Sequence, residues 1–313
     1  MHEQIKKQRL AEATALVSRH LGLEVTASAI HGSILRGFND PNSDTDICFL
    51  LNRPVSDYIN MSNAPIFEGT LDDRREKLAK LSTQMSRELG WQIMVSLLDM
   101  RSLLRGIMNA STFSLMAYEC FAKENAHVKF LFDSVAQDYF SVSNLVHRCG
   151  EHMTNNLRTL QQIESHGREY KQERTFLGTL WSAHRLLAYL DGDKQHCRTI
   201  QELIEMNRGK WEADFPSGFR KEVTGVIRAR TERSPFDMPT GIPSESESLL
   251  KAFSVAVLKE ATTYLRANPQ QYPNTREETR EMIDLYSELI DHEDDRSGQG
   301  KLINTNKQEL LAA

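Results

Sequence analysis

The most restrictive feature of this 313-residue chain is a Gly-Ser pair followed, after ten residues, by two aspartates one residue apart. The pair Gly32-Ser33 follows one apolar run, and Asp44 and Asp46 lead directly into a second over residues 47–51. Short apolar runs bounded by turn residues favour buried strands. Because residues two apart on a strand face the same side, the two carboxylates are predicted to project together beside the Gly-Ser turn.

These residue types suit the binding of a nucleoside triphosphate with a divalent cation. Two adjacent carboxylates repel each other, and an oxygen-preferring ion such as Mg²⁺ or Mn²⁺ relieves that repulsion. Gly32 lets the backbone approach a ligand closely, and the N–H groups after it suit a phosphate. We therefore predict that Asp44 and Asp46 bind the metal and that Gly32 and Ser33 bind phosphate. The alternative is a surface hairpin with a solvated acid pair, because short motifs also match by chance.

The wider pattern, Gly-Ser-x-x-x-Gly with Ser-Asp-x-Asp, resembles the signature of nucleotidyltransferases of the DNA polymerase β superfamily. Arg36, Gly37 and Ser43 belong to the matching positions. The resemblance implies metal-dependent transfer of a nucleoside monophosphate from a triphosphate to a hydroxyl, with Arg36 and Ser43 near the triphosphate. The acceptor is RNA or another nucleic acid, a protein or a small molecule; the same motif is similar to that of small antitoxin transferases, which implies a protein hydroxyl.

A third carboxylate usually lies on a later strand in that superfamily, and here the aligned position carries Gln92. Asp99 lies seven residues further on, an odd offset that turns it to the other face of a regular strand. Asp99 is therefore either a catalytic residue that reaches the site through a bulge, or the N-cap of the next helix. Gln92 also leaves open a catalytically decayed protein, a nucleotide-binding regulator or a phage-encoded interaction protein on the same scaffold.

From residue 111 onward the chain has predominantly helical patterning. A helix predicted from about residue 168 to 190 carries basic and small residues at three- and four-residue steps, which place them on one face. This stripe consists of Lys171, Arg174, Gly178, Ser182 and Arg185. Lys171, Arg174 and Arg185 are predicted to bind the distal phosphates of a nucleotide from the second domain. A solvated basic helix face is the alternative.

A narrower resemblance covers roughly residues 25–210. The N-terminal motif, Asn109 before a helix that contains Glu119, and Tyr170-Lys171 followed by His184-Arg185 are similar to predicted nucleotidyltransferases that include the YcgL and RlaP proteins. The resemblance implies a nucleotidyltransferase fold with a helical C-terminal half, and it does not define the physiological substrate.

Composition restricts the setting in which such a chain acts. The net charge of −5 and a sequence pI of about 6.1 argue against a strongly basic nucleic-acid-binding protein, although a local basic groove is compatible with them. No apolar run is long enough to span a membrane, and the first residues lack the apolar core of a signal peptide. The four cysteines are scattered, without a CxxC pair. We therefore expect a cytoplasmic protein with free thiols and no membrane partner.

These observations together predict an α+β protein. A nucleotidyltransferase domain, with a small mixed sheet and helices, is expected over residues 1–110. An all-helical domain is expected over residues 111–290, and a polar, mobile tail over residues 291–313, where apolar residues become few.

Overall fold

The computed structural model describes most of the chain up to residue 268. The described ranges are 3–40, 44–52, 66–67, 70–126, 128–129, 140–162, 169–210, 217–234 and 242–268. Ser43, the predicted tail over residues 291–313 and the end of the predicted helical domain lie outside the described residues. The proposed domain boundaries therefore stay predictions.

A three-stranded mixed sheet forms the centre of the N-terminal part. Strand β2 (Thr45–Asn52) lies between β1 (Glu24–Ile30), which it pairs with antiparallel, and β3 (Ile93–Asp99), which it pairs with in parallel. A parallel connection needs a crossover element, and helix α3 (Leu71–Leu89) occupies that place in the chain. Helix α3 begins with a capping box at Thr70 and ends where Gly90 takes a left-handed conformation.

The remaining helices divide between the sheet and the C-terminal part. Those that accompany the sheet are α1 (Glu3–Leu21), α2 (Gly32–Arg36) and α4 (Met100–Met108). Those that follow are α5 (Thr112–Glu124), α6 (Val142–Gln162), α7 (Glu169–Leu190), α8 (Ile200–Met206), α9 (Ser217–Thr231) and α10 (Ser244–Ala267). The predicted α+β class is confirmed. Across the described ranges, no helix combines the length and apolarity needed to cross a membrane.

The sheet is covered on both faces. Alternate residues of a strand face opposite sides, and on β2 Ile47 and Phe49 pack with α1 and α3 whereas Cys48 and Leu50 pack into the core of the helical part. A strand buried on both faces has an almost continuous apolar sequence, which is the run that follows Asp46. The Cys48 face of the sheet, on which Asp46 also lies, is therefore directed toward the helices that follow residue 111.

Helix α7 is the central helix of that part. Its side chains from Phe176 to Tyr189 are all buried, and it packs against α6, α8 and α10. A helix that is buried on all sides belongs to a core, so its polar residues must bind partners within the protein.

Buried ion pairs join the loop after α2 to the helical part. Arg233 Nη1 donates to Asp40 Oδ2 at 2.9 Å, and Arg233 Nη2 lies 2.6 Å from both carboxylate oxygens of Glu173 on α7. Arg230 Nε on α9 donates to the carbonyl oxygen of Phe38 at 2.9 Å. These groups are nearly inaccessible to solvent. The contacts hold Phe38 and Asp40, just after α2, against the helical part.

Arg233→Met should lower the free energy of unfolding by about 3–5 kcal/mol, because it removes one cation from a buried ion-pair network in which Arg230 remains beside Glu173. Arg75→Met is the matched control: Arg75 forms an exposed pair with Asp72, so its loss should leave stability essentially unchanged. Urea denaturation measures both variants. Equal stability of the two variants would show that the buried contacts do not hold the loop.

Candidate active site

The Asp46 carboxylate lies directly against the Cα of Gly32. The backbone N–H of His31 donates to the Asp46 carbonyl at 2.9 Å, which fixes the turn beside the start of β2. Gly32 has φ +69°, and a Cβ built there would lie only 1.9 Å from Asp46 Oδ2. Glycine is therefore required twice, for its left-handed backbone and for the space that the carboxylate fills.

Charged residues from both halves of the chain converge on Asp46. Asp46 is half-buried and Asp44 is exposed just before β2. Burial raises the pKa of Asp46, the positive charge of Arg174 opposes that rise, the Asp44 carboxylate adds to it, and Arg36 lowers it. Each of these groups is thus close enough to act on the Asp46 charge. The predicted metal pair is brought together with two of the predicted phosphate-binding arginines, Arg36 and Arg174.

Arg36 lies over an aromatic ring of the helical part. Its Cζ is 4.8 Å from the ring centroid of Trp181 on α7, and the Trp181 indole N–H donates to the Arg198 carbonyl at 2.8 Å. Burial, followed by the charge of Arg174, lowers the pKa of Arg36 to about 10. Arg36 Nε is buried, and no described residue accepts a hydrogen bond from it. A buried guanidinium with an unused donor, beside a second arginine, suits an anionic ligand such as a phosphate.

Two histidines near Arg36 were not predicted from the sequence. Burial, followed by the charge of Arg36, lowers the pKa values of His31 and His152 to about 4, so both rings are neutral at pH 7. The ring of His31 packs edge-on against Phe113. His31 adjoins Gly32 in sequence, so its position could have been inferred from the motif. His152 lies on α6, far along the chain, and no sequence pattern points to it.

Hydrogen bonds fix the orientation of the His152 ring. Its Nδ1 lies 2.8 Å from Ser182 Oγ, and that hydroxyl lies 3.0 Å from the Gly178 carbonyl oxygen. The side-chain amide of Asn156 lies 3.4 Å from Nε2. Ser182 of the predicted stripe therefore orients a histidine.

The strand register shows which residues stand beside the carboxylates. Met94 of β3 pairs with Asp46, and the Thr45 N–H donates to the Gln92 carbonyl at 3.0 Å. Paired residues of neighbouring strands lie on the same face, so the positions beside the aspartates carry an exposed glutamine and an exposed methionine. Among the residues that the structure describes, no cluster of three or more His, Cys, Asp or Glu side chains could hold a metal ion.

Asp99 does not join the site. It pairs with Leu51, five residues beyond the Asp46–Met94 pair, which is about 16 Å along the strand. Its carboxylate accepts a hydrogen bond from the Ser102 N–H at 2.7 Å and caps α4. Of the two interpretations of Asp99, the structure shows the helix cap, and the expectation that Asp99 lies beside the metal pair is corrected.

Arg185 is also placed away from the aspartates. It follows Arg174 by eleven residues, about 16 Å along α7. It is buried, where its Nη1 donates to the Asp193 carbonyl at 3.1 Å and its Nη2 donates to His196 Nδ1 at 3.2 Å. The predicted contact of Arg185 with a nucleotide is corrected to an anchor for the loop after α7. Lys171, one turn before Arg174, is exposed.

The donor set fits a divalent cation. Mg²⁺ is typically bound by one or two carboxylates together with substrate phosphates and water, rather than by a complete set of protein ligands. Asp44 and Asp46 provide two carboxylates. Because Gly32 has no side chain, the Asp46 carboxylate can lie beside the turn. Arg36 and Arg174 offer the positive charge that the phosphates need.

Gly32→Ala and Gly22→Ala form a matched pair of variants. Both glycines have positive φ, +69° and +63°, but a Cβ at Gly22 meets nothing within 4 Å. Gly22→Ala should cost only the left-handed strain, about 1 kcal/mol. Gly32→Ala must also displace the Asp46 carboxylate, so it should lower the free energy of unfolding further and remove divalent-cation binding. Urea denaturation and calorimetric titration with Mn²⁺ measure these effects; equal behaviour of the two variants would contradict the close approach.

The position of this site agrees with a match to a known domain family. No curated protein and no solved structure matches the chain, and the narrower grouping with YcgL and RlaP stays a prediction. The family model described as "Nucleotidyltransferase domain" matches residues 13–111, a range that contains all three strands, the Gly-Ser turn and both aspartates. The match over residues 13–111 supports a nucleotidyltransferase domain of the DNA polymerase β-like superfamily in this part of the chain.

Proposed function

We propose that this protein is a metal-dependent nucleotidyltransferase that moves a nucleoside monophosphate from a triphosphate to a hydroxyl of an acceptor. The observation that carries the proposal is the convergence on one carboxylate: Asp46 lies against Gly32 and within electrostatic reach of Asp44, Arg36 and Arg174. The family match over the same segment supports the chemistry.

In this proposal each residue has a role that follows from its position. Asp44 and Asp46 hold Mg²⁺ or Mn²⁺, which when bound polarises the α-phosphate and neutralises the leaving pyrophosphate. The backbone at Gly32 and the hydroxyl of Ser33 bind the triphosphate beside them. Arg36 and Arg174, one from each half of the chain, bind phosphate oxygens, and Arg36 is preorganised because it lies over the Trp181 ring. The exposed Lys171 adds positive charge one turn away.

The acceptor is RNA, a protein or a small molecule, and one experiment separates these classes. The protein is incubated with each of the four nucleoside triphosphates, labelled at the α-phosphate, together with a cell lysate and Mg²⁺. Digestion of parallel samples with ribonuclease or protease then shows which class carries the label. Label that stays in unmodified nucleotide with every triphosphate would contradict transfer to a lysate component.

A second function is favoured by the residues beside the carboxylates. Gln92 and Met94 occupy the places where a third acid could stand. We therefore keep nucleotide binding without transfer, in a regulatory or interaction protein, as the second candidate. It predicts that nucleotide or metal binds without turnover, so release of pyrophosphate in the presence of any acceptor would count against it.

Asp44→Asn and Asp46→Asn should each reduce nucleotide transfer by at least about 10²-fold, because removing one preorganised charge-stabilising group typically costs that much. The folded state should persist, since the amide keeps the shape of the carboxylate. Asp72→Asn, at an exposed acid on α3, is the control and should retain full activity. A pyrophosphate-release assay measures the activity of each variant, and a separate thermal denaturation experiment measures its stability. Unchanged release in both site variants would reject the proposed roles of the aspartates.

Arg174→Gln and Arg185→Gln should separate binding from stability. Arg174 is exposed beside Asp46, so its loss should weaken nucleotide binding by about 10–100-fold, the equivalent of one charge-assisted hydrogen bond, and leave the melting temperature nearly unchanged. Arg185 is buried, so its loss should lower the melting temperature first. Calorimetric titration with a non-hydrolysable triphosphate gives the affinities. If Arg185→Gln weakened nucleotide binding without lowering the melting temperature, Arg185 would instead be a phosphate-binding residue.

A further inference from the structure

A pair of thiols lies outside the site described above. Cys120 on α5 and Cys197, in the loop between α7 and α8, are 77 residues apart in sequence, and their Sγ atoms are 3.5 Å apart. Both side chains are partly exposed, whereas Cys48 and Cys149 are buried in the core. A small reagent can therefore reach the pair but not the other two cysteines.

The surroundings give the two thiols different roles. The Cys197 Sγ lies 3.3 Å from the carbonyl oxygen of Met116, and its backbone N–H donates to the Glu119 carboxylate at 3.0 Å. Glu119 also accepts a hydrogen bond from the His196 N–H. These contacts hold Cys197 in place, and its thiol keeps an acceptor for its proton. The ammonium group of Lys123 and the carboxylate of Glu119 lie within electrostatic reach of both thiols, so they do not distinguish them.

The same asymmetry affects the pKa values. The hydrogen bond with Cys197 lowers the pKa of Cys120, and burial opposes this effect only in part. That hydrogen bond, together with burial, raises the pKa of Cys197. The Cys197 thiol has the Met116 carbonyl as an acceptor for its proton, and the thiolate is the reactive form, so Cys120 is the nucleophile of the two.

We propose that Cys120 and Cys197 form a modification site that reacts with hydroperoxides. The Cys120 thiolate attacks the terminal oxygen of the hydroperoxide, and the O–O bond breaks. The leaving oxygen takes a proton from solvent and departs as an alcohol or water, and Cys120 becomes a sulfenic acid. The Cys197 thiol then attacks the Cys120 sulfur, a disulfide forms, and the sulfenic oxygen leaves as water with the thiol proton. The two electrons lost by the sulfur pair have reduced the peroxide, and an external dithiol can then reduce the disulfide to the two thiols while it is itself oxidised to a disulfide.

The disulfide would act on the nucleotide site through the loop over residues 191–199. A disulfide requires the sulfur atoms to approach from 3.5 Å to about 2 Å and then fixes this loop covalently to α5. Arg198 in that loop accepts the hydrogen bond of Trp181, the ring beneath Arg36. Gln201, just beyond the loop, donates to the Gly37 carbonyl at 3.1 Å. The thiol chemistry is independent of the proposed transferase function, and only its effect on nucleotide binding rests on that function.

The test uses the full chain and hydrogen peroxide. After treatment the protein is denatured, its free thiols are alkylated, and it is digested with trypsin. We expect two of the four thiols to be protected and the peptides of residues 106–123 and 195–198 to be joined, with all four thiols recovered after dithiothreitol. Four free thiols after treatment, or a disulfide that contains Cys48 or Cys149, would overturn the proposal.

Three variants test the assignment of roles. Cys197→Ser should stop at a sulfenic acid on Cys120 that reacts with dimedone, because the resolving thiol is absent. Cys120→Ser should leave Cys197 reduced, and Cys149→Ser, which alters a buried cysteine, should still form the disulfide. If dimedone labelled Cys197 in the Cys120→Ser variant as fast as it labels Cys120 in the Cys197→Ser variant, the assignment of the nucleophile would be contradicted.

The effect on the nucleotide site has its own measurement. We expect oxidised wild type to bind a non-hydrolysable triphosphate more weakly than reduced wild type, and peroxide-treated Cys120→Ser to bind it as before. Equal affinities of oxidised and reduced wild type would reject the coupling through Trp181. Absence of binding in both forms would instead count against the proposed function, and the thiol measurements would still decide the modification site.

Discussion

The contact between the Asp46 carboxylate and the bare Cα of Gly32 is the constraint on which the site depends. It requires a left-handed glycine in the turn, and it requires β1 and β2 to pair so that the His31 N–H meets the Asp46 carbonyl. That pairing is stable because β2 is buried on both faces, by α1 and α3 on one side and by the helical part on the other. The geometry of one carboxylate thus depends on the packing of both halves.

The helical part takes part in the site and is more than a cover for the sheet. Successive residues on a helix point about 100° apart, and on α7 Glu173 points into the buried ion pairs while Arg174 is exposed beside Asp46. Arg36 from the N-terminal part lies in turn on Trp181 of α7. Each half therefore supplies a cation to the same carboxylate, and the ion pairs of Arg233 keep the halves in register there. A change in α7 that leaves the motif intact can still alter the site.

The sequence could predict those features that depend on local spacing. The Gly-Ser turn beside the start of β2 and the three strands follow from short patterns, and the odd offset of Asp99 already indicated that it faces away from Asp46. The basic stripe of α7 was predicted only in part. Arg174 and Arg185 share a spacing pattern, but α7 is buried on all sides from Phe176 to Tyr189. The part of the stripe beyond Arg174 is therefore covered by other elements of the protein. Periodicity shows which side of a helix a residue lies on, and it does not show where along the helix another element covers that side. His152 and the cysteine pair depend on contacts between distant segments, which no local pattern encodes.

Two carboxylates in place of three alter one part of the chemistry. Nucleotidyl and phosphoryl transfer depend mainly on positioning and on electrostatic stabilisation of the phosphates, and Asp44, Asp46, Arg36 and Arg174 can supply both. A general base typically contributes about 10²–10⁴-fold to a rate. The neutral His31 and His152 rings near Arg36 have pKa values of about 4, so they accept a proton weakly at pH 7. If the proposed transferase function holds, a site of this kind is therefore expected to transfer more slowly than one with a third acid.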